Sequence, residues 1–218
     1  GADGITVHPR PDQRHIRAQD CFDLQSALNV ELNIEGNPFT EPHASDQPHV
    51  GDYPGFIALV QAIRPAQVTL VPDSDQQLTS DHGFDVARDG KRLEPLIKIF
   101  KDLGCRVSLF MDPDPSAMAT VASLGADRIE LYTESYARAH EVGDFESSLA
   151  AFQETAEAAF AARLGVNAGH DLNLSNLPDF KVPHLEEVSI GHAFTVDALR
   201  WGIANTIPRY QQALGKNV

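Results

Sequence analysis

Short apolar runs alternate with longer stretches of helical spacing along the chain. Strand-like runs fall at residues 4–8, 29–35, 67–72, 106–111, 128–133, 165–168 and 187–190. The segments between them carry apolar residues three and four apart, the spacing of one helix face. Phe56, Leu59, Val60 and Ile63 form one such stripe, and Leu93, Leu96, Ile97 and Phe100 form another that stops at Gly104. Residues 152–162 are alanine-rich and read as a long helix. Val196, Leu199, Ile203 and Ile207 form the last stripe, with Pro208 predicted to interrupt it.

Strands alternating with helices imply an α/β protein with a parallel sheet covered on both faces. Polar, reactive residue types recur where the strands stop, the pattern of a (β/α)8 TIM barrel with its chemistry on the loops at the C-terminal face. Seven strands are predicted where such a barrel has eight, and the first residues read as a helix end running into a strand. The expectation is therefore a single barrel domain over residues 1–218, N-terminally incomplete by its first βα unit. Adding ~35 residues would reach the ~250 typical of the fold. Two long loops are predicted, at residues 36–55 and 133–147, the first a candidate lid or surface insert.

Composition narrows the function. The 218 residues are 42% hydrophobic and 22% charged, with a net charge of -14, which argues against a nucleic-acid surface or an anionic membrane. An anionic substrate must then be held by a local positive pocket. Cys21 and Cys105 show no metal or redox spacing, and a reducing cytoplasmic compartment fits them. No apolar run approaches the ~20 residues of a membrane span.

The strand ends hold His8, Glu35, Asp112, Glu130, His170 and His192, which a barrel would gather at one mouth. Asp112 reads as turn chemistry. Glu130 lies within "RIELYT", where a buried carboxylate needs a cation or a polar mouth to face; the polar mouth is favoured. Ala168 and Gly169, before His170, are small enough to let a ligand approach the backbone. "SIGHAFTVDAL" sets Gly191 and His192 before a helix predicted to start near Thr195, and free N–H groups there suit a phosphate. His43, His49, His82, His140 and His184 read as solvated loop residues. None of the five lysines ends a strand, which disfavours a lysine Schiff base.

The segments "GADGITVHPRPDQRHI", "LNIEGN", "TLVPD", "LTSDHGFDV", "VSLFMDPD", "RIELYTESYA", "VNAGHDLN" and "SIGHA" together resemble the pyridoxine 5'-phosphate synthase family of vitamin B6 biosynthesis, in order and across nearly the whole chain. The resemblance implies a TIM-barrel transferase, assembled as a homo-octamer, using no metal and no organic cofactor. Its implied reaction condenses 1-deoxy-D-xylulose 5-phosphate with 3-amino-2-oxopropyl phosphate. It implies proton acceptors at His8 and Glu35, a proton donor at His170 and a transition-state-stabilising carboxylate at Glu130. It further implies deoxyxylulose phosphate contacts at Arg10, His15 and Thr79, and amino-ketone phosphate contacts at Asp171, Gly191 and His192. Asp171 and Glu134 stand where the family commonly has glycine. Arg14 matches no role and reads as a surface arginine.

The imine in this chemistry joins the two substrates, so no protein lysine is needed. The family's first unit carries further substrate contacts, and little turnover is expected of a chain lacking it. Two other readings stay open from the residues alone. One is a metal-dependent barrel lyase or hydrolase using His8, His170, His192, Glu35 and Glu130. The other is a truncated, non-catalytic phosphate-binding barrel.

Overall fold

The computed structural model describes residues 1–75 and 77–216. They form two compact units, one of Asp3–Phe110 with Thr120–Arg128, the other of Gly1–Ala2, Met111–Ala119 and the chain from Ile129 onward.

The first unit alternates β1 (Gly4–Val7), α1 (Ala18–Ala27), β2 (Glu31–Gly36), α2 (Phe56–Ile63), β3 (Gln67–Leu70), α3 (Val86–Asp102) and β4 (Arg106–Met111). Its strands lie in sequence order and pair in parallel, with Ile5 opposite Leu32, Ile34 opposite Val68 and Val68 opposite Val107. Alternation along the strands gives the sheet two unlike faces. Leu32, Ile34, Val68, Leu70, Val107 and Leu109 are buried, and so are the polar residues between them: Asn33, Glu35, Thr69 and Ser108. A sheet buried on both faces that still carries polar side chains must satisfy them locally. Asn33 does this by donating to Thr6 Oγ1 at 3.2 Å and Thr69 Oγ1 at 3.0 Å.

The helices form where the apolar stripes predict. In α2 the whole stripe of Phe56, Leu59, Val60 and Ile63 is buried. In α3, Asp85 caps the first turn by accepting from the Ala87 and Arg88 N–H groups, and Leu93, Ile97 and Phe100 are buried. Phe56 meets Phe100 edge to face at 5.8 Å, joining the two stripes. At the N-terminal strand ends, Arg106 donates to Gln67 Oε1 at 2.7 Å and pairs with Glu31, clipping β2, β3 and β4 together. The hydrogen bond from Arg106 holds the Glu31 carboxyl below its ordinary pKa.

After β4 the chain makes a 3₁₀ turn at Pro115–Ala117 and α4 (Met118–Ser123). The second unit then holds β5 (Arg128–Tyr132), α5 (Glu134–Glu141), α6 (Glu146–Ala161), β6 (Gly165–Gly169), β7 (Leu185–Ser189), α7 (His192–Trp201) and α8 (Ile203–Ala213). β6 and β7 pair in parallel, with an irregularity between Val166 and Asn167. Its core gathers on Tyr136, whose ring lies 4.8 Å from Phe180 and 6.3 Å from Phe152. The Tyr136 hydroxyl is not left unmet; it donates to the Asn176 carbonyl at 2.7 Å.

The described residues hold seven strands, matching the seven apolar runs to within a few residues at each end. The helices differ more. Residues 133–147, expected as a loop, contain α5, a polar helix that buries only Tyr136 and Ala137. The long alanine-rich helix starts earlier, at Glu146. The last stripe breaks at Gly202, whose φ of +79° suits glycine, and not at Pro208. Pro208 forgoes one backbone bond inside α8, but the helix persists because Thr206 and Tyr210 are buried. The Tyr210 hydroxyl donates to Asp197 Oδ2 at 2.9 Å, pinning α8 to α7. Among the described residues no helix is long and apolar enough to cross a membrane.

Two outcomes follow. Phe100→Ala removes a fully buried ring and is expected to lower the unfolding free energy in urea by about 3–5 kcal/mol. Because the folded-state pKa of Glu31 is depressed, its stabilisation is present at neutral pH and fades as pH falls through the carboxylate range. Denaturation midpoints across pH 3–7 are therefore expected to decline less steeply for Glu31→Gln than for the wild type.

Candidate active site

His8 follows β1 directly, and the register that sets Val7 opposite Ile34 carries His8 alongside Glu35 at the end of β2. Their side chains meet, His8 Nδ1 lying 3.1 Å from Glu35 Oε1, with side-chain exposures of 19% and 9%. The imidazole is thus held by one nitrogen, and Nε2 is left for other partners. A carboxylate accepting from Nδ1–H fixes the tautomer with an unprotonated Nε2, the form that accepts a proton.

Arg10 stands two residues further on and is buried. Its Nη2 donates to Asp73 Oδ2 at 2.7 Å, just after β3. The same carboxylate oxygen accepts from Ser80 Oγ at 2.8 Å, and the Asp73 carbonyl accepts from Asn37 Nδ2 at 2.7 Å. His8, Arg10, Asn37, Thr40, Tyr53 and Asp73 line one cleft. Tyr53 comes from the long 36–55 loop, is almost fully buried, and has its phenol pKa pushed up by that burial. Asn37 and Asp73 end the segments "LNIEGN" and "TLVPD" but have no role assigned from the sequence, and Tyr53 lies outside every quoted segment; the fold brings all three to the cleft.

The loops after β1, β2 and β3 are fastened to one another. Gln13 donates to the Gly51 carbonyl and Gln47 to the Asp12 carbonyl, each at 2.7 Å. Residues 36–55 are thus fastened at several points and closed by the paired backbones of His43 and Tyr53, while most of residues 41–52 stay exposed, as a surface insert would be. Arg14 is not a free surface arginine: its Nη2 donates to the Gln77 and Leu78 carbonyls at 2.6 and 3.1 Å. Thr79 is exposed between Leu78 and Ser80, both of which are anchored. His15 is exposed in the β1 loop and makes no hydrogen bond or ion pair among the described residues, so it is not joined to Arg10 by contact.

The second unit holds the other predicted residues. Glu130 on β5 is 1% exposed. Gly169 ends β6 beside it, and a Cβ built there would fall 2.2 Å from Glu130 Oε1. The small residue thus makes room for the carboxylate of the neighbouring strand, a different reason from the ligand approach expected of it. His170 follows at φ +75° and presents its ring to Tyr132 edge-on at 5.4 Å. Thr133 Oγ1 lies against the carbonyls of Gly169, at 2.7 Å, and His170. Asp171 is also left-handed, at φ +53°, a conformation that glycine adopts without cost. Its carbonyl accepts from Asn176 Nδ2 at 3.0 Å. α7 starts at His192 and not near Thr195, with Gly191 at its cap and both residues exposed. They follow closely on Ser189, whose Cβ lies 3.5 Å from where a Gly169 Cβ would be.

Two of the remaining histidines are structural. His140 Nε2 lies 3.0 Å from Asp179 Oδ2, and the His184 ring stacks on Phe160 at 3.8 Å. Among the described residues no group of three or more His, Cys, Asp or Glu side chains is placed to hold a metal ion.

The chain matches the family described as "Pyridoxal phosphate biosynthesis protein PdxJ" over residues 1–216. It is 58% identical over 215 residues to the pyridoxine 5'-phosphate synthase of Xanthomonas campestris pv. campestris strain B100, covering 96% of this chain and 81% of that protein. With the enzyme of the same name from Xylella fastidiosa strain 9a5c it shares 53% over 219 residues, covering 98% and 82%. Two solved structures share the fold. A mutant tryptophan synthase α-subunit from Pyrococcus furiosus is 10% identical with a TM-score of 0.55, covering 91% of this chain and 72% of that one. Triosephosphate isomerase from Bartonella henselae is 13% identical with a TM-score of 0.50, covering 94% and 86%. The fold is thus of the parallel (β/α) barrel class that the alternation of elements predicts.

Gly169→Ala is expected to displace the Glu130 carboxylate and destabilise the protein by about 1–3 kcal/mol, as overpacking does. Chemical denaturation of the variant beside the wild type checks this.

Proposed function

The chain belongs to the PdxJ family of pyridoxal phosphate biosynthesis proteins, and we propose that it is a pyridoxine 5'-phosphate synthase joining 1-deoxy-D-xylulose 5-phosphate to 3-amino-2-oxopropyl phosphate. The observation that carries this reading to the residues is that His8, paired through Nδ1 with Glu35, lines one cleft with Arg10.

The reaction is a sequence of proton transfers. The amine of one substrate attacks the ketone of the other, and water leaves as the imine forms. Enolisation then removes a proton from carbon, phosphate departs, and a carbon–carbon bond closes the ring with loss of water. His8 Nε2, oriented through Nδ1 by Glu35, suits the proton-accepting steps. His170 serves as the proton donor, and Glu130 stabilises the cationic character that develops along the path. Arg10 holds the phosphate of the deoxyxylulose substrate, with His15 and Thr79 closing on it from their exposed loop positions. Asp171, Gly191 and His192 serve the amino-ketone phosphate, the last two through free N–H groups at the start of α7. Fixing two phosphates orients two flexible substrates, which removes much of the entropic barrier.

The setting belongs to the same proposal. Two free, buried cysteines fit a reducing cytoplasm. A homo-octamer is the assembly that the family resemblance implies.

Formation of pyridoxine 5'-phosphate from the two substrates tests the reading. His8→Asn and Glu35→Gln are each expected to lower kcat by about 10²–10⁴-fold, the usual size of a lost general base, with unchanged circular dichroism. Full turnover by a folded His8→Asn variant would overturn the assignment.

A further inference from the structure

Asp73 is 2% exposed and takes no part in the proton transfers above. Its Oδ2 accepts from both Arg10 Nη2 at 2.7 Å and Ser80 Oγ at 2.8 Å, while its Oδ1 is buried without a hydrogen-bond partner. A buried carboxylate oxygen left unmet is costly, so packing alone is a poor reason for an aspartate here. The cost has a counterpart in Arg10. A guanidinium carries five N–H donors in a fixed fork, and among the described residues Arg10 makes its one ion pair to Asp73.

We infer that Asp73 is a positioning residue for Arg10: it anchors one edge of the guanidinium and leaves the other donors to grip a phosphate in the cleft. This rests on the reading of Arg10 as the holder of the deoxyxylulose phosphate. An unanchored arginine samples many rotamers and must lose them when the anion arrives; an anchored one has lost them on folding. The negative charge of Asp73 works the other way, because it opposes a phosphate. The geometry favours orientation, since a single contact leaves most of the fork unused. Ser80 and Asn37 hold Asp73 in turn, so the loops after β2 and β3 both support the same guanidinium.

The test is calorimetric binding of 1-deoxy-D-xylulose 5-phosphate to the wild type and to Arg10→Ala, Asp73→Ala, Asp73→Asn and the Arg10→Ala/Asp73→Ala double variant, each first checked by thermal melting. Asp73→Ala is expected to weaken binding about ten-fold, the loss of roughly one charge-assisted contact. Asp73→Asn, which keeps the shape and one acceptor, is expected to fall between it and the wild type, and it carries the test should the alanine variant fail to fold. The double variant is expected to bind no more weakly than Arg10→Ala alone, because Asp73 acts through Arg10. Unchanged or tighter binding by the Asp73 variants, with Arg10→Ala weakened, would overturn the inference while leaving the phosphate site standing. Additive losses in the double variant would assign Asp73 a structural role and overturn it as well. Unchanged affinity in Arg10→Ala would instead overturn the phosphate site itself.

Discussion

The parallel register of β1 on β2 is the constraint from which the site is built. Val7 lies opposite Ile34, so the next residue of each strand, His8 and Glu35, emerge together. Burying a carboxylate without a partner is prohibitive, and the register supplies that partner automatically. A one-residue slip would turn Glu35 to the helix-covered face and strand it among Leu32 and Ile34 types of neighbour. The polar layer beneath, Thr6–Asn33–Thr69, enforces the same register by pairing the side chains of three strands. One alignment thus satisfies the buried polar groups and also brings His8 and Glu35 together.

Around this pair the loops act as struts. Contacts between residues 63 apart, Arg10 with Asp73 and Arg14 with Gln77, tie the β1 loop to the β3 loop. Gln13 and Gln47 tie the β1 loop to the long loop, and Tyr53 closes that loop down into the cleft. Such fastening fixes side chains before any ligand arrives, which is how a loop-built site reaches the precision that catalysis needs. In the second unit the same economy appears at Gly169. A residue without a side chain admits the Glu130 carboxylate, and the chain then turns through two left-handed residues, His170 and Asp171.

The strands were legible because parallel strands buried on both faces read as short apolar runs bounded by Gly, Pro and Asp. Helices with a full apolar stripe, such as α2, were equally plain. α5 was hidden because its sequence, "ESYARAHE", is mostly polar and buries only two residues. Pro208 reads as a helix break in sequence, yet α8 runs through it with Thr206 and Tyr210 buried, and the break falls at Gly202, which carries no sequence expectation. His8, Glu35, Glu130 and His170 stood out as titratable residues at or near strand ends, but their separate roles came from the family resemblance. The ion pair of Asp73, the place of Tyr53 and the clasp made by Arg14 are not legible, since each depends on contacts between loops distant in sequence. The smallness of Gly169 is legible, but the room it leaves for the Glu130 carboxylate is not, because its neighbour across the sheet cannot be read from one strand.

The central claim is that Glu35 orients His8 so that Nε2 can accept a proton. Two-bond ¹H–¹⁵N correlation spectra of protein labelled at histidine nitrogen, assigned by His8→Asn, report this directly. Neutral His8 is expected to carry its proton on Nδ1 and to show an unprotonated Nε2, with Glu35→Gln shifting this tautomer balance. A His8 protonated at Nε2, indifferent to Glu35→Gln, would contradict it.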